Sequence, residues 1–108
     1  MGSRNTKVAN LDSGFRPSGE TGFQFACATA LAGTALSTTG VNSLTTHVRI
    51  VATGQDVRYR TDGVDPTAAI GQILADGVGE YWSRERYLAG IFIQTGATAV
   101  VDVECLAI

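Results

Sequence analysis

Charged residues, aromatic residues and cysteines are all scarce in this sequence. Charged side chains make up 17% of the 108 residues and aromatic side chains 7%, whereas soluble domains carry roughly 25% charged residues. The core of a single domain of this length must therefore be built mainly from Val, Ile, Leu and Ala. Large neutral areas are then expected on the surface. Such areas can simply be hydrated, but they are often covered by another subunit, and the composition favours a protein that works in an assembly.

Basic residues are too few and too scattered for a nucleic-acid-binding protein. The chain has one Lys and seven Arg, with a net charge of −2, and phosphate binding needs clustered cations. No apolar run approaches the length of a membrane span. The first twenty residues also lack the apolar centre of a signal peptide. We therefore expect a protein that is made in a cytoplasm and has neither a nucleic-acid nor a membrane partner.

The two cysteines do not form a recognisable framework. Cys27 and Cys105 each lie in an apolar, strand-like run, and neither belongs to a Cys-x-x-Cys motif. A free cysteine in such a run behaves as a small hydrophobic residue. A disulfide between the first and last strands of the domain remains the alternative.

The residues that catalysis or metal binding would need are also missing. His47 is the single histidine, so a nucleophile has one possible base, and zinc has too few ligands at a recognisable spacing. Asp62 and Asp65 flank a loop that could in principle wrap a calcium ion, but acids in this pattern are equally well explained as turn formers. We predict no enzymatic activity, no cofactor and no metal site.

Residues 1–22 differ in composition from the rest of the chain. They carry isolated apolar residues among Gly, Ser, Asn, Thr and Arg, with no apolar periodicity. Such a segment cannot fold alone, so it is either a disordered tail or an arm that becomes ordered against a neighbouring subunit. We favour the arm, and its predicted partner-binding residues are Val8, Leu11, Phe15 and Arg16.

Residues 23–108 have the pattern of a β domain. Apolar and polar residues alternate at 46–52 and again at 56–61, which predicts two strands that form an antiparallel pair. About seven short strands are separated by turns, which is typical of a small antiparallel β-sandwich, jelly-roll or immunoglobulin-like, or of a barrel. The sequence thus predicts an all-β domain with an extended N-terminal arm.

Three local features complete this prediction. Residues 23–31 are expected to form one strand, and the last two strands are expected to form a hairpin around Gly96. Asp102 and Glu104, on the polar face of the last strand, would then lie within reach of Arg58 and Arg60 across a shared sheet.

The run from Gly54 to Thr67 resembles a pattern in small structural proteins of tailed bacteriophages. There a strand ending in Val-Arg-aromatic-Arg leads into Asp-Gly, a short spacer and Pro-Thr, matched here by residues 57–67. A Gly-x-x-Leu strand follows at 71–74, and residues 91–93 match a later strand. The resemblance covers roughly residues 46–108 and leaves out the arm.

The resemblance implies a structural place in a virion. We expect a capsid decoration or cement protein on the surface of the phage head. Its partners would be the major capsid protein and further copies of this chain, most simply as a homotrimer.

Two alternatives stay open. The chain can be a tail, neck or fibre component of the virion. It can also be a β-module that binds carbohydrate or a host surface, with Trp82, Tyr81 and Tyr87 as an aromatic platform. Against the platform, Trp82 is the residue best suited to fill a core.

Overall fold

A computed structural model describes residues 14–27, 30–33, 44–96 and 98–108 of the chain. Within these ranges almost all regular structure is β. The elements, in chain order, are β1 (Arg16–Pro17), β2 (Phe23–Ala26), β3 (Leu31–Ala32), β4 (His47–Thr53), β5 (Val57–Arg60), β6 (Gln72–Leu74), β7 (Gly79–Ser83), α1 (Arg84–Leu88), β8 (Ile91–Gln94) and β9 (Val100–Ala107).

The strands form two antiparallel sheets that pack together, so the predicted all-β sandwich is confirmed. In the first sheet the order is β1-β9-β4-β7, and β2 also pairs with β9. In the second sheet the order is β3-β8-β5-β6. The chain crosses repeatedly from one sheet to the other, and the core lies between the two inner faces.

The core is built from the alternating residues that the sequence indicates. On β4 the inward residues Val48, Ile50 and Ala52 are fully buried, while the residues between them are partly exposed. β9 follows the same rule at Val101 and Val103. The facing sheet and α1 add aromatic rings from Tyr59, Tyr87 and Phe92, and β7 adds Trp82. A period of two therefore identifies the buried face of each of these strands.

The predicted pairing of the strands at 46–52 and 56–61 is wrong. β4 lies between β7 and β9, and β5 lies between β6 and β8 in the other sheet. Gly54, at φ +96°, begins the short connection that carries the chain across the sandwich. Alternation shows which side chains face the core, but two strands on opposite sheets alternate just as well as two neighbours do.

The predicted hairpin around Gly96 is wrong for the same reason. β8 pairs with β3 and β5, whereas β9 pairs with β1, β2 and β4 in the opposite sheet. The single strand predicted over 23–31 is also divided, because β2 joins the first sheet and β3 joins the second. Connections that look like hairpins in the sequence are crossovers in this fold.

The expected ion pairs between the last strand and β5 therefore do not form. Asp102 lies on the outer face of the first sheet and accepts a hydrogen bond from the Gln24 amide at 2.9 Å. Arg60 lies on the second sheet and binds Asp62 in the adjoining loop. The two sets of charges are on opposite sides of the sandwich.

The predicted helix cap at Ser83 and the predicted turn at Gly63 are both present. Ser83, a residue suited to cap a helix, accepts a hydrogen bond from the backbone N–H of Arg86 at 3.1 Å and begins α1. Gly63 has a φ of +83°, as its place in the Asp-Gly loop predicts. In the described part of the chain, no helix has both the length and the apolarity needed to cross a membrane.

Candidate interaction surfaces

Two of the four residues predicted to bind a partner lie in the described part of the arm. Phe15 packs on the outer face of the first sheet, with its ring centroid 4.5 Å from that of His47 and 5.2 Å from that of Tyr81. Val8 and Leu11 lie outside the described residues. The ring of Phe15 thus rests on a surface of its own chain.

The fourth residue, Arg16, begins β1 and is paired with Ala107 of β9. Its side chain is exposed, together with that of Pro17. The structure therefore brings Phe15 and Arg16 to one end of the first sheet, where the arm adds a short strand beside β9.

A small hydrogen-bonded cluster holds the arm to the domain. The backbone N–H of Ser18 donates to the carbonyl of Cys105 at 3.2 Å, and the Ser18 hydroxyl lies 2.9 Å from that of Thr45. The Thr45 hydroxyl also donates to the carboxylate of Glu20. Thr45 is only 2% exposed. Sequence reasoning missed this anchor because a threonine next to a second threonine carries no signal of burial.

The outer face of the second sheet carries a cluster of isoleucines beside two arginines. Ile91 and Ile93 point away from the buried Phe92 between them, and both are only half-buried. Arg58 of β5 is paired with Ile93 on one side and with Ile73 of the edge strand β6 on the other. Ile73 is 47% exposed. We call this surface the isoleucine face. It consists of Ala32, Arg58, Arg60, Ile73, Ile91 and Ile93.

The apolar residues of the isoleucine face are not what a hydrated sheet presents. An antiparallel sheet with one face in water normally alternates apolar and polar residues, and near-continuous apolar runs occur in strands that are covered on both faces. The run Ile91-Phe92-Ile93 of β8 is of the second kind. The face is therefore suited to burial against another molecule.

The cations of the isoleucine face are bound by groups of the same chain. Arg60 forms an ion pair of 2.5 Å with Asp62, and Arg58 donates from Nη1 to the carbonyl of Gly71 at 2.9 Å. The hydrogen bond from Arg60 lowers the pKa of Asp62 from its ordinary value to about 2. Asp62 therefore balances the charge of Arg60, whereas Arg58 keeps its positive charge and has a carbonyl as its hydrogen-bond partner.

The aromatic platform expected of a carbohydrate-binding module does not form. Trp82 is 1% exposed and packs edge-on against Tyr59, with ring centroids 4.6 Å apart. The guanidinium of Arg86 covers the Trp82 ring at 4.0 Å from its centroid. Tyr87 is fully buried, and the more exposed Tyr81 stacks with Phe15.

The polar residues considered as catalytic or metal-binding candidates contact neighbouring residues of the same chain. His47 has its Nδ1 atom 3.0 Å from the Thr46 hydroxyl and its ring against Phe15. In the loop after β5, the Asp62 carboxylate accepts the backbone N–H of Val64. Across the described ranges, no group of three or more His, Cys, Asp or Glu is arranged to hold a metal ion.

A cleft of about 380 Å³ opens beside this loop, where β5 ends and β6 begins. Its charged lining consists of Arg60 and Asp62, which are bonded to each other. The remaining lining residues are Thr61, Gly71 and Gln72. This lining offers hydrogen bonds but no arrangement of nucleophile and base.

The two cysteines are free and buried. Cys27 follows the end of β2 and donates its backbone N–H to the carbonyl of Ala99, whereas Cys105 lies far along β9. Five residues of strand between Val100 and Cys105 correspond to about 17 Å, and a disulfide requires Cα atoms within about 7 Å. The alternative of a Cys27–Cys105 disulfide is therefore wrong. Burial raises the pKa of the Cys27 thiol to about 11.

These observations describe a small β-sandwich with a docked arm and an apolar outer sheet face. Comparison of the chain with protein-family models, with curated proteins and with solved structures finds no match.

Proposed function

We propose that this chain is a structural protein of a tailed-bacteriophage virion, and that it decorates the head by binding the lattice of the major capsid protein. It acts without catalysis and without a cofactor, after synthesis in the host cytoplasm. The virion assignment rests on the resemblance carried by residues 54–67. The binding role rests on one structural observation, the isoleucine face.

The isoleucine face supports binding because its partial exposure is costly in a free protein. Burying an isoleucine side chain contributes about 1.5–3 kcal/mol relative to leaving it in water. Ile91 and Ile93 lie on β8, which is flanked by strands on both sides, so their orientation is set by the sheet. A rigid apolar surface of this kind binds without loss of backbone entropy.

The first test measures occupancy on purified phage heads that lack this protein. Replacing both Ile91 and Ile93 with Thr keeps the branch at Cβ but replaces the ethyl group of each side chain with a hydroxyl. We expect a loss of about 2 kcal/mol, which corresponds to an affinity about 30-fold lower. Val51→Thr is the matched control, because Val51 lies half-buried on the outer face of the other sheet. Equal occupancy by the double variant and the control would exclude the isoleucine face as the binding surface.

A second test separates the head from the other positions in the virion. A decoration protein is present in a copy number comparable to that of the major capsid protein. A tail, neck or fibre component is present in few copies. Densitometry of the proteins of purified particles distinguishes these cases, and a low copy number would replace the proposal with the alternative.

A third test concerns the arm. Residues 14–22 belong to the fold through β1 and the Thr45 cluster, so the truncation should remove only residues 1–13, which include Val8 and Leu11. If these residues hold a neighbouring capsid subunit, the truncated protein binds heads less tightly with an unchanged melting temperature. Undiminished binding would exclude this part of the arm as a clasp.

A further inference from the structure

The strand β6 is an exposed edge of the second sheet. It pairs with β5 on one side, and no other strand of the described ranges pairs with it. Its outward side chain Ile73 is 47% exposed, and Ile70, just before the strand, is 58% exposed. An edge with free backbone groups and apolar side chains is a template for a further strand.

An edge strand of the first sheet shows how this fold protects an edge. That strand is β7, which pairs with β4 on one side. It carries an inward-pointing acid, Glu80, whose carboxylate accepts the Trp82 indole N–H at 3.1 Å. Its exposed ring, Tyr81, is stacked with Phe15. Charged residues that point inward at an edge prevent pairing with other chains, and β6 has no such residue.

The charge pattern of β6 indicates what binds there. Residues 66–75 form a run of ten without a single charge, and β6 lies inside it. When two identical antiparallel strands pair about a two-fold axis, the residue on the axis meets its own copy, and the residues on either side of it meet each other. A charged residue there would meet a like charge, whereas isoleucine meets isoleucine. With Ile73 on the axis, Gln72 of one copy lies opposite Leu74 of the other, so no charged residues meet within the strand.

We propose that β6 of one molecule pairs antiparallel with β6 of a second copy, with Ile73 beside its own copy. The two four-stranded sheets then become one continuous eight-stranded sheet. This contact is isologous and closes at two copies, so it produces a dimer and not the trimer that the sequence resemblance implies. The strand is only three residues long, so the dimer is weak in solution and forms at high local concentration.

This self-association does not depend on the proposed capsid role. The isoleucine face would bind the lattice through β8, and the β6 edge would join neighbouring copies. A protein that dimerises but fails to bind heads would disprove the first proposal and leave the second standing.

Sedimentation equilibrium of the full chain from about 10 µM to about 1 mM tests the pairing. We expect the mass to rise from 11.3 kDa towards twice that value as the concentration increases. Ile73→Lys should remain monomeric, because lysine at an edge opposes pairing. The matched control is Ile91→Lys, which places the same charge on the same face but inside the sheet and should still dimerise. A constant monomer mass for the wild type, or dimerisation of Ile73→Lys, would overturn the proposal.

Cross-linking distinguishes the β6 edge from other contacts. Directly opposed residues in an antiparallel pair have Cα atoms about 4.5–5.5 Å apart, which is within disulfide range. Ile73→Cys should therefore give a covalent dimer on mild oxidation, and Ile91→Cys should not. The native Cys27 and Cys105 are buried and do not compete. Equal cross-linking at both positions, or none at position 73, would contradict pairing through β6.

Discussion

The buried hydroxyl of Tyr87 gives the sharpest test of the packing. Tyr87 is fully buried in the core, and its hydroxyl has no hydrogen-bond partner within the part of the chain that the structure describes. Burial raises the pKa of Tyr87 above its ordinary value, and the thiols of Cys105 and Cys27 reinforce the shift. A buried polar group without a partner lowers the stability of the native state by about 1–3 kcal/mol.

Tyr87→Phe should therefore stabilise the protein. We expect the free energy of unfolding to rise by about 1 kcal/mol, which is about 4–8 °C in melting temperature for a domain of this size. The matched control is Tyr59→Phe, because Tyr59 also packs against Phe92 but its hydroxyl accepts a hydrogen bond from Arg86 at 3.2 Å. That control should lose about 1 kcal/mol. Urea unfolding, followed by fluorescence, measures the free energy of unfolding of both variants.

A pH series adds an independent measurement for Tyr87. Because the pKa of Tyr87 is raised in the folded state, the unfolded state loses this proton first, above a pKa of about 10, and the free energy of unfolding falls as the pH rises further. The Tyr87→Phe variant should therefore lose less stability above pH 10 than the wild type does. If Tyr87→Phe is instead as destabilising as Tyr59→Phe, the hydroxyl has a partner and the reasoning fails.

Three further predictions concern the Asp-Gly loop and the cysteines. Gly63→Val should lower the free energy of unfolding by about 1–3 kcal/mol, because the φ of +83° is strained for a β-branched residue although space around the site is open. Gly63→Asn should lower it less. If both variants melt at the same temperature as the wild type, the assignment of the turn is wrong. The Asp62 carboxyl should titrate near pH 2 in NMR, so that its stabilising effect is present above its ordinary pKa and is lost as the pH falls through 2. In the Arg60→Gln variant the midpoint of this titration should return towards 3.8. An unchanged midpoint would rule out the ion pair as the cause of the lowered pKa. Both cysteines are buried, so Cys27 and Cys105 should resist a thiol reagent at pH 8 in the native protein and react with it after unfolding. Rapid labelling of the native protein would contradict this prediction and show that the core opens.

Local patterns predicted the individual elements well. Apolar alternation identified the buried faces of β4, β5 and β9, because successive side chains in a strand point to opposite faces. Ser83 predicted the start of α1, and Gly63 predicted a turn with positive φ. Trp82 was correctly identified as a core residue. Each of these features depends on a residue and its near neighbours along the chain.

The candidate surfaces were less predictable. The sequence indicated neutral surface in general, but the isoleucine face exists because β5, β6 and β8 are neighbours in one sheet. The run Ile91-Phe92-Ile93 by itself does not reveal which of its residues face outward. The docking of Phe15 on His47 and Tyr81 also joins residues that are distant in the sequence.

The sequence by itself determined that this protein is a small all-β domain with an apolar core, because period-two alternation and turn residues act locally. Only the tertiary structure decided which strands are neighbours. The connections at Gly54 and Gly96 cross between sheets instead of forming hairpins, and strand pairing depends on contacts between residues far apart in the chain. That choice separated the charges once expected to pair, left β6 at an open edge and gathered the isoleucines on one face.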